Sequence, residues 1–311
     1  MQLDISAQSL PVYEALASQV RLNIIHHLSI RPMNIRELAD AVSLSSAIMT
    51  MHIKKLEKAG IIRTEMIPGK AGIQKLCVLN VDLIEINFPH LEARFNECHQ
   101  SELSVGHYTD FAVEPTCGLA TDQKIIGEFD EPRYFLDPER VNAKVIWFSK
   151  GYVEYRIPNF LLSSHRPQEL EISLELSSEA PLTNENWPSD ISFYLNNIHL
   201  GCWTSPGDFG DRPGRYTPSW WPKVINQYGI LKLVRITSKG TFLDGNKISE
   251  VTIEDVEIRS KQWTFKISNE DDAAHIGGVT IFGKDFGNYN QDIIFRLFYT
   301  NEEKGRNDLP E

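Results

Sequence analysis

The sequence is poor in the features that mark secreted, membrane-spanning and metal-held proteins. Its four cysteines lie at positions 77, 98, 117 and 202, without a CxxC pair, so their spacing argues against a disulfide framework or a zinc ribbon. No apolar run approaches the roughly 20 residues that a membrane helix needs, and residues 1–16 lack the basic start and apolar middle of a signal peptide. We therefore expect a cytoplasmic protein with reduced thiols.

Positive charge is also scarce over the chain as a whole. The 311 residues carry 31 Lys and Arg against 42 Asp and Glu, for a net charge of −11. Residues 45–75, however, hold six basic and two acidic side chains. A local basic excess on an acidic protein predicts two parts with different partners.

The first part of the chain has the apolar periodicity of helices, with cap residues between one predicted helix and the next. Leu16, Val20, Ile24 and Leu28 have the spacing of one helix face. Asn34 stands three residues before Glu37, which is the spacing of a capping box. The pattern next predicts a helix that is capped at Ser45, buries Met49, Ile53 and Leu56, and ends at Gly60. Two short strands, at 61–67 and 73–79, follow around a turn rich in Gly and Pro.

From about residue 120 the apolar period changes to two. Short β-type runs separated by Gly, Pro, Asn and Asp predict an antiparallel sandwich. The expected strands lie at 169–177, 190–195, 230–238, 250–258, 262–267, 279–282 and 293–299. We expect the polar loop 283–292 to be a plain hairpin connection, with closure of a pocket as the alternative.

The ordered landmarks of the first part resemble those of the ArsR-type winged helix-turn-helix repressors. They are Ala15-Leu16-Ala17-Ser18 followed by Arg21-Leu22, then Glu37-Leu38-Ala39, Leu44-Ser45, His52-Ile53, and Leu56-Glu57-Lys58-Ala59-Gly60-Ile61-Ile62. The resemblance covers about residues 10–80 and implies a homodimer that binds a near-palindromic double-stranded DNA operator. For the dimer contacts we expect residues 3–13 and 81–95.

The fold class expected from these patterns is α+β and multidomain. A winged helix-turn-helix domain at 1–88 precedes a linker or dimerisation segment at 89–112. A jelly-roll-like antiparallel β-sandwich at 113–302 and a tail at 303–311 complete the chain.

The helix capped at Ser45 must present its remaining side chains outward, where serine and threonine bond base edges or phosphates, apolar groups contact thymine methyls, and lysines pair with phosphates. We predict DNA contacts for Ser45, Ser46, Ala47, Thr50, Met51, His52, Lys54, Lys55 and, at the hairpin tip, Lys70. For His52 a purely structural role is an equal alternative.

Metal sensing is the best-known activity of the ArsR family, and the sequence argues against it here. Residues 35–42, which precede the helix capped at Ser45, contain no cysteine. Cys98 and His99 have no second pair of metal-binding residues at ligand spacing. We expect neither a metal nor another cofactor.

The second part concentrates aromatic and charged side chains in one Gly- and Pro-rich region. Aromatic faces stack on sugar rings, while carboxylate and guanidinium groups bond vicinal hydroxyls, so this mixture predicts a small-molecule effector site, with a saccharide as the candidate ligand. The candidate ligand residues are Trp187, Asp190, Trp203, Asp208, Asp211, Arg212, Arg215, Tyr216, Trp220 and Trp221. The strand pattern resembles galactose-binding-like and carbohydrate-binding modules.

Other interpretations of the second part remain open. Aromatic loops also cover sandwich ends as structural lids, and the sandwich alternatively serves as a protein-interaction module. Carboxylate pairs such as Asp208 with Asp211 are compatible with glycoside hydrolysis, but no GxSxG, HExxH, P-loop or Rossmann motif is present. The sequence therefore favours a ligand-sensing regulator, more specifically a repressor, over an enzyme.

Overall fold

The computed structural model describes residues 1–69, 72–82, 84–87 and 97–301. The chain divides into two compact units, residues 1–91 and 92–311. In the described parts of the chain, no helix combines the length and the apolarity needed to cross a bilayer.

The first unit consists of short helices and a small sheet around one core. Its helices are α1 (Leu10–Leu16), α2 (Gln19–Ile30), α3 (Ile35–Ala41) and α4 (Ser46–Lys58). Its strands are β1 (Gln2–Asp4), β2 (Met33–Asn34), β3 (Ile62–Gly69), β4 (Gly72–Leu79) and β5 (Glu85–Asn87). The order β2-β4-β3 forms an antiparallel sheet, and β1 pairs with β5 in parallel.

Local sequence explains most helix boundaries in this unit. Asn34 accepts a bond from the amide of Glu37 while Glu37 accepts one from the amide of Asn34, so the predicted capping box is confirmed. Gly60 follows α4 with φ +69°, as expected of a glycine after a helix end. The single helix expected through Leu16 and Leu28 is wrong, because the chain leaves helical geometry at Ala17 and Ser18.

The second unit is an antiparallel sandwich of twelve strands. They are β6 (Glu97–Leu103), β7 (Asp110–Ala120), β8 (Val145–Pro158), β9 (His165–Ser177), β10 (Ser189–Leu195), β11 (Ile198–Ser205), β12 (Ile230–Thr237), β13 (Gly240–Leu243), β14 (Asn246–Ser249), β15 (Gln262–Asn269), β16 (Val279–Phe282) and β17 (Ile293–Asn301). One layer has the order β7-β8-β15-β10-β11 and the other β6-β17-β9-β12-β13-β14, while β16 pairs with both β8 and β9.

Two apolar clusters stabilise the sandwich. The main core lies between the layers, where Phe295 of β17 meets Phe265 of β15 edge-on at 5.5 Å between ring centroids. Because side chains alternate along a strand, Trp147 of β8 lies on the opposite face from Ile146 and Phe148. That outer face forms a second cluster with Trp221 and Phe286, which come from two long loops.

Two expectations for this unit are wrong. Residues 250–258 form turns instead of a strand. The carboxylate of Asp255 accepts hydrogen bonds from the amide and the hydroxyl of Thr252, and Glu257 takes φ +50°. Ile253 and Val256 are nevertheless buried. Of the segment 89–112, expected as a linker or dimerisation segment, residues 97–103 are not a linker, because they form β6 in the sandwich and pair with β17. The expected tail at 303–311 lies outside the described residues.

Candidate functional sites

The helix α4 presents a mixed polar and apolar outer face. The Oγ atom of Ser45 caps the helix by accepting the amide of Ile48 at 3.4 Å, while Met49, Ile53 and Leu56 are buried as predicted. The side chains predicted to contact DNA that stand exposed are Ser45, Ser46, Ala47, Met51, Lys54 and Lys55. Exposed lysines beside small polar and apolar groups match the chemistry of phosphate contact beside base contact.

Thr50 and His52 are less available than their neighbours on α4. The Thr50 hydroxyl donates to the carbonyl of Ser46 at 2.7 Å, which leaves its oxygen only as an acceptor. The ring of His52 is half-buried, with Nδ1 3.5 Å from the guanidinium of Arg21. Burial, then the charges of Arg21 and Lys55, lower the pKa of His52, so the ring carries no charge to pair with a phosphate at neutral pH.

Arg21 itself is a structural residue that sequence reasoning used only as a landmark. It is buried on α2 and donates to two carbonyls near the end of α1, at 2.6 Å each, from Glu14 and Ala15. Those carbonyls have lost helical partners, because α1 ends at Leu16. Arg21 therefore joins three helices of the unit.

The hairpin β3–β4 is tied to the end of α4. Glu57 accepts hydrogen bonds from Thr64 and from Lys75, the latter at 3.0 Å, and the Thr64 bond contributes most to lowering the pKa of Glu57. This arrangement fixes the hairpin relative to α4. Lys70, predicted at the hairpin tip, lies outside the described residues.

The side chains that suit a metal are not clustered in the described part of either unit. Among the described residues, no group of three or more His, Cys, Asp or Glu has a geometry that would hold an ion. Cys77 and Cys117 are buried, and burial raises the pKa of their thiols to about 11 and about 12.

The tryptophans of the second unit have unequal environments. Trp221 is 2% exposed and packs edge-on against Trp147 and Phe286, with its Nε1 donating to the carbonyl of Asn226 at 2.8 Å. Trp220 is 38% exposed and its Nε1 donates to the carbonyl of Asp122 at 2.6 Å. Trp221 is therefore part of a structural lid, whereas Trp220 is partly exposed to solvent.

The other ligand candidates occupy separate places. Trp203 of β11 lies under the ammonium of Lys232, 4.5 Å from its ring centroid, and Trp187 is half-buried. Asp190 accepts from Thr204 and from the amide of His275. No ring contact among the described residues joins Trp203 to Trp220 or Trp221.

The predicted ligand residues between positions 208 and 216 also lie in different environments. Asp208 is fully buried, accepts the amide of Ala180 at 3.3 Å, and has its pKa raised by burial to about 7. Exposed Asp211 accepts the hydroxyl of Tyr228, over which Arg212 stacks at 5.3 Å. Exposed Arg215 lies over the half-buried ring of Tyr216 at 5.5 Å.

The loop 283–292 is more than a hairpin turn. The carboxylate of Glu175 on β9 accepts the amides of Asn288 and Tyr289 and also that of Gly229, while the amide of Tyr216 donates to the carbonyl of Gly287. The strands that it connects, β16 and β17, do not pair with each other. The expectation of a plain hairpin is therefore wrong, because β16 and β17 are not paired with each other and the loop is anchored to Glu175 and Tyr216.

Two cavities of the second unit lie away from the predicted ligand residues. An open groove of about 840 Å³ is lined by residues 166–168 and by parts of 253–260. A cavity of about 150 Å³ is lined by Glu179 and Asn226 among others. None of the ten predicted ligand residues lines either cavity, and Glu179 was missed because an acidic residue at a strand end gives no signal of burial.

Comparison with known proteins concerns mainly the first unit. The family described as bacterial regulatory protein, arsR family, matches residues 18–64. An uncharacterized HTH-type transcriptional regulator of Methanocaldococcus jannaschii is 35% identical over 54 residues, which are 17% of this chain. The chain spans 57% of the length of this curated relative.

Solved structures resemble each unit separately. HlyU from Vibrio cholerae covers 24% of this chain and 78% of its own, with 21% identity and a TM-score of 0.22. A carbohydrate-binding module of a xylanase from the hindgut metagenome of Trinervitermes trinervoides covers 64% of this chain and 96% of its own, with 6% identity and a TM-score of 0.29. Residues 18–64 of the chain form a helix-turn-helix domain of the ArsR family.

Proposed function

We propose that the protein is a dimeric transcriptional regulator that binds a DNA operator through α4 and represses transcription. The observation that carries this proposal is the outer face of α4, where Ser46, Ala47 and Met51 are exposed beside Lys54. The family match supports the same use of this helix.

The role of the hairpin follows from its anchoring. Because Glu57 binds both Thr64 and Lys75, the hairpin keeps a fixed position beside α4. Exposed side chains on its strands include Arg63 and Met66. In the proposed complex the hairpin contacts the DNA backbone next to the groove that α4 enters.

We propose further that the sandwich senses a small ligand and changes operator affinity. Ligand binding would favour one of two arrangements of the DNA-reading heads, with a coupling of about 1–3 kcal/mol. The finer form of this proposal is a neutral saccharide that stacks on Trp220. Its support is that Trp220 is exposed while a hydrogen bond to Asp122 holds its ring.

The proposal of DNA binding is tested by selecting duplexes from a random library with the full-length protein. We expect enrichment of an inverted repeat whose half-sites are about one helical turn apart. Selection with Lys54→Ala should enrich less strongly while keeping the sequence preference, since a phosphate contact carries no sequence information. Failure of the wild-type protein to enrich any sequence would refute a sequence-specific regulator.

The saccharide form is tested independently of DNA. Calorimetric titration with mono- and oligosaccharides should give binding that Trp220→Ala abolishes. A screen without any binder would leave the loop as a lid and favour a protein-interaction role for the sandwich.

A further inference from the structure

A cavity beside the second apolar cluster combines an apolar wall with an acidic floor. Its volume is about 150 Å³. Phe129, Trp147 and Ile225 contribute the wall, and Glu179 and Asn226 contribute polar groups. The two rings stand close together, with 5.6 Å between the centroids of Phe129 and Trp147.

Glu179 carries three hydrogen bonds from neutral donors. They come from the hydroxyls of Thr116 at 3.1 Å and Thr280 at 3.0 Å, and from the amide nitrogen of Asn226 at 3.1 Å. No ion pair within the described part of the chain gives this carboxyl a basic partner. Burial, and then the carboxyl of Asp208, raise its pKa well above the usual range. A negative charge here is therefore costly unless a cation enters.

Asn226 supplies the independent sign of a missing partner. Its side chain is 3% exposed and its amide nitrogen donates to both Glu179 and Thr280, yet its Oδ1 atom has no hydrogen-bond partner among the described residues. An unpaired buried acceptor destabilises the folded state. The backbone carbonyl of the same residue accepts from Trp221, so the lid positions Asn226 at the cavity.

Three buried oxygen atoms around Glu179 have no hydrogen-bond partner among the described residues. Besides Oδ1 of Asn226, they include Oδ1 of Asp208, which neighbours Glu179 and is fully buried, and the hydroxyl of Ser178. The unpaired acceptor of Asn226 calls for a ligand that donates a hydrogen bond, and the ionised form of Glu179 calls for a ligand that carries positive charge.

We propose that this cavity binds a small primary ammonium compound. An ammonium group has three donors, which suit Oδ1 of Asn226 and the carboxylate of Glu179, and a short alkyl chain suits a wall of Phe129, Trp147 and Ile225. A metal ion fits less well, because a hard cation needs six or more oxygen ligands and the described residues offer no cluster of three acidic or histidine side chains. This site is separate from the saccharide surface at Trp220.

The test is titration of the full-length protein with n-propylammonium chloride at constant ionic strength. Because Trp147 lines the cavity, we expect a saturable change in tryptophan fluorescence and a rise in melting temperature. The neutral isostere n-propanol should give neither effect. Glu179→Gln should weaken binding by about tenfold or more, since it removes the charge and keeps the shape.

A second variant guards against misfolding of a core substitution. Phe129→Ala lies at a position that is 46% exposed, and it should weaken binding by about two- to fivefold through loss of apolar contact with the alkyl chain. Glu128→Gln is the matched control, because it removes a neighbouring exposed acid that does not line the cavity and should leave affinity unchanged.

Three results would overturn the proposal. They are no saturable response to n-propylammonium, an equal response to n-propanol, or an equal loss of affinity in Glu128→Gln and Glu179→Gln. Tighter binding of calcium chloride, with the same dependence on Glu179, would replace the ammonium site by a metal site. None of these measurements involves DNA or a sugar, so they stand apart from the proposed regulatory function.

Discussion

The guanidinium of Arg21 lies 3.5 Å from Nδ1 of His52 and joins α2 to α4. The same guanidinium group also binds the carbonyls of Glu14 and Ala15 at the end of α1. A histidine that faces a permanent cation accepts a hydrogen bond in its neutral form. The pair therefore orients α4 from its buried side, while the lysines on its exposed side remain available for the proposed DNA contacts.

We expect Arg21→Ala to destabilise the first unit by about 2–4 kcal/mol, because it leaves the buried carbonyl of Ala15 and the partly buried carbonyl of Glu14 without this donor. The measurement is urea unfolding followed by the helical far-UV signal. Arg36→Ala, at an exposed position on α3, is the control and should change stability by less than about 0.5 kcal/mol. Equal stability of the two variants would contradict a structural role for Arg21.

Features that depend on neighbours in sequence were predictable, and those that depend on distant contacts were not. The capping box of Asn34 and Glu37 and the cap at Ser45 lie within single turns, so their spacing was sufficient. Arg21 was visible only as a landmark, since its partners belong to α1 and α4.

The same distinction explains which features of the second unit could be predicted from the sequence. Composition showed that the loop around Trp221 is rich in aromatic residues. It did not show that Trp221 is buried, because that burial depends on Trp147 and Phe286 from other parts of the chain. The predicted strand at 250–258 failed for a similar reason, since its apolar residues Ile253 and Val256 enter the core from turns.

The dimer expected from the family resemblance is testable on exposed apolar residues. Part of the predicted contact surface is used within the unit, because β1 pairs with β5 and Leu3 is 8% exposed. Leu10 remains 50% exposed on α1. Light scattering should give twice the chain mass of 35.5 kDa, and Leu10→Glu should shift the protein toward that chain mass.

The control for the dimer is Ile30→Glu, which places the same charge on an exposed apolar residue at the end of α2. This variant should remain dimeric. A wild-type mass near 35.5 kDa, both with and without DNA, would contradict the dimer.

The adjacent tryptophans of the lid should respond differently to truncation. Trp221→Ala removes a buried ring from the second cluster and should cost about 3–5 kcal/mol of stability. Trp220→Ala removes a partly exposed ring and should cost about 1 kcal/mol, the net value of one hydrogen bond. Urea unfolding followed by tryptophan fluorescence compares them. Similar costs would show that the two rings share one environment.

Asp208 should make the stability of the second unit depend on pH. Burial raises its pKa from 3.8 to about 7, so the folded state holds a proton that the unfolded state releases. This contribution is fully present below about pH 4 and is lost as the pH rises through 7, by up to about 4 kcal/mol.

The measurement is urea unfolding of wild type and Asp208→Asn across that window. The variant mimics the neutral acid, so its advantage over wild type should grow as the pH rises. Exposed Asp211→Asn is the matched control and should follow the wild-type profile. A parallel profile for Asp208→Asn would show that Asp208 ionises normally.

The most direct test of the account is the salt dependence of DNA binding. Fluorescence anisotropy with a selected duplex, at several salt concentrations, should give a slope that falls by about one unit in Lys54→Ala and again when Lys70→Ala is added. His52→Gln is the control: its neutral ring contributes no charge, so the slope should stay unchanged. An unaltered affinity and slope in the double lysine variant would contradict DNA binding through this face of α4.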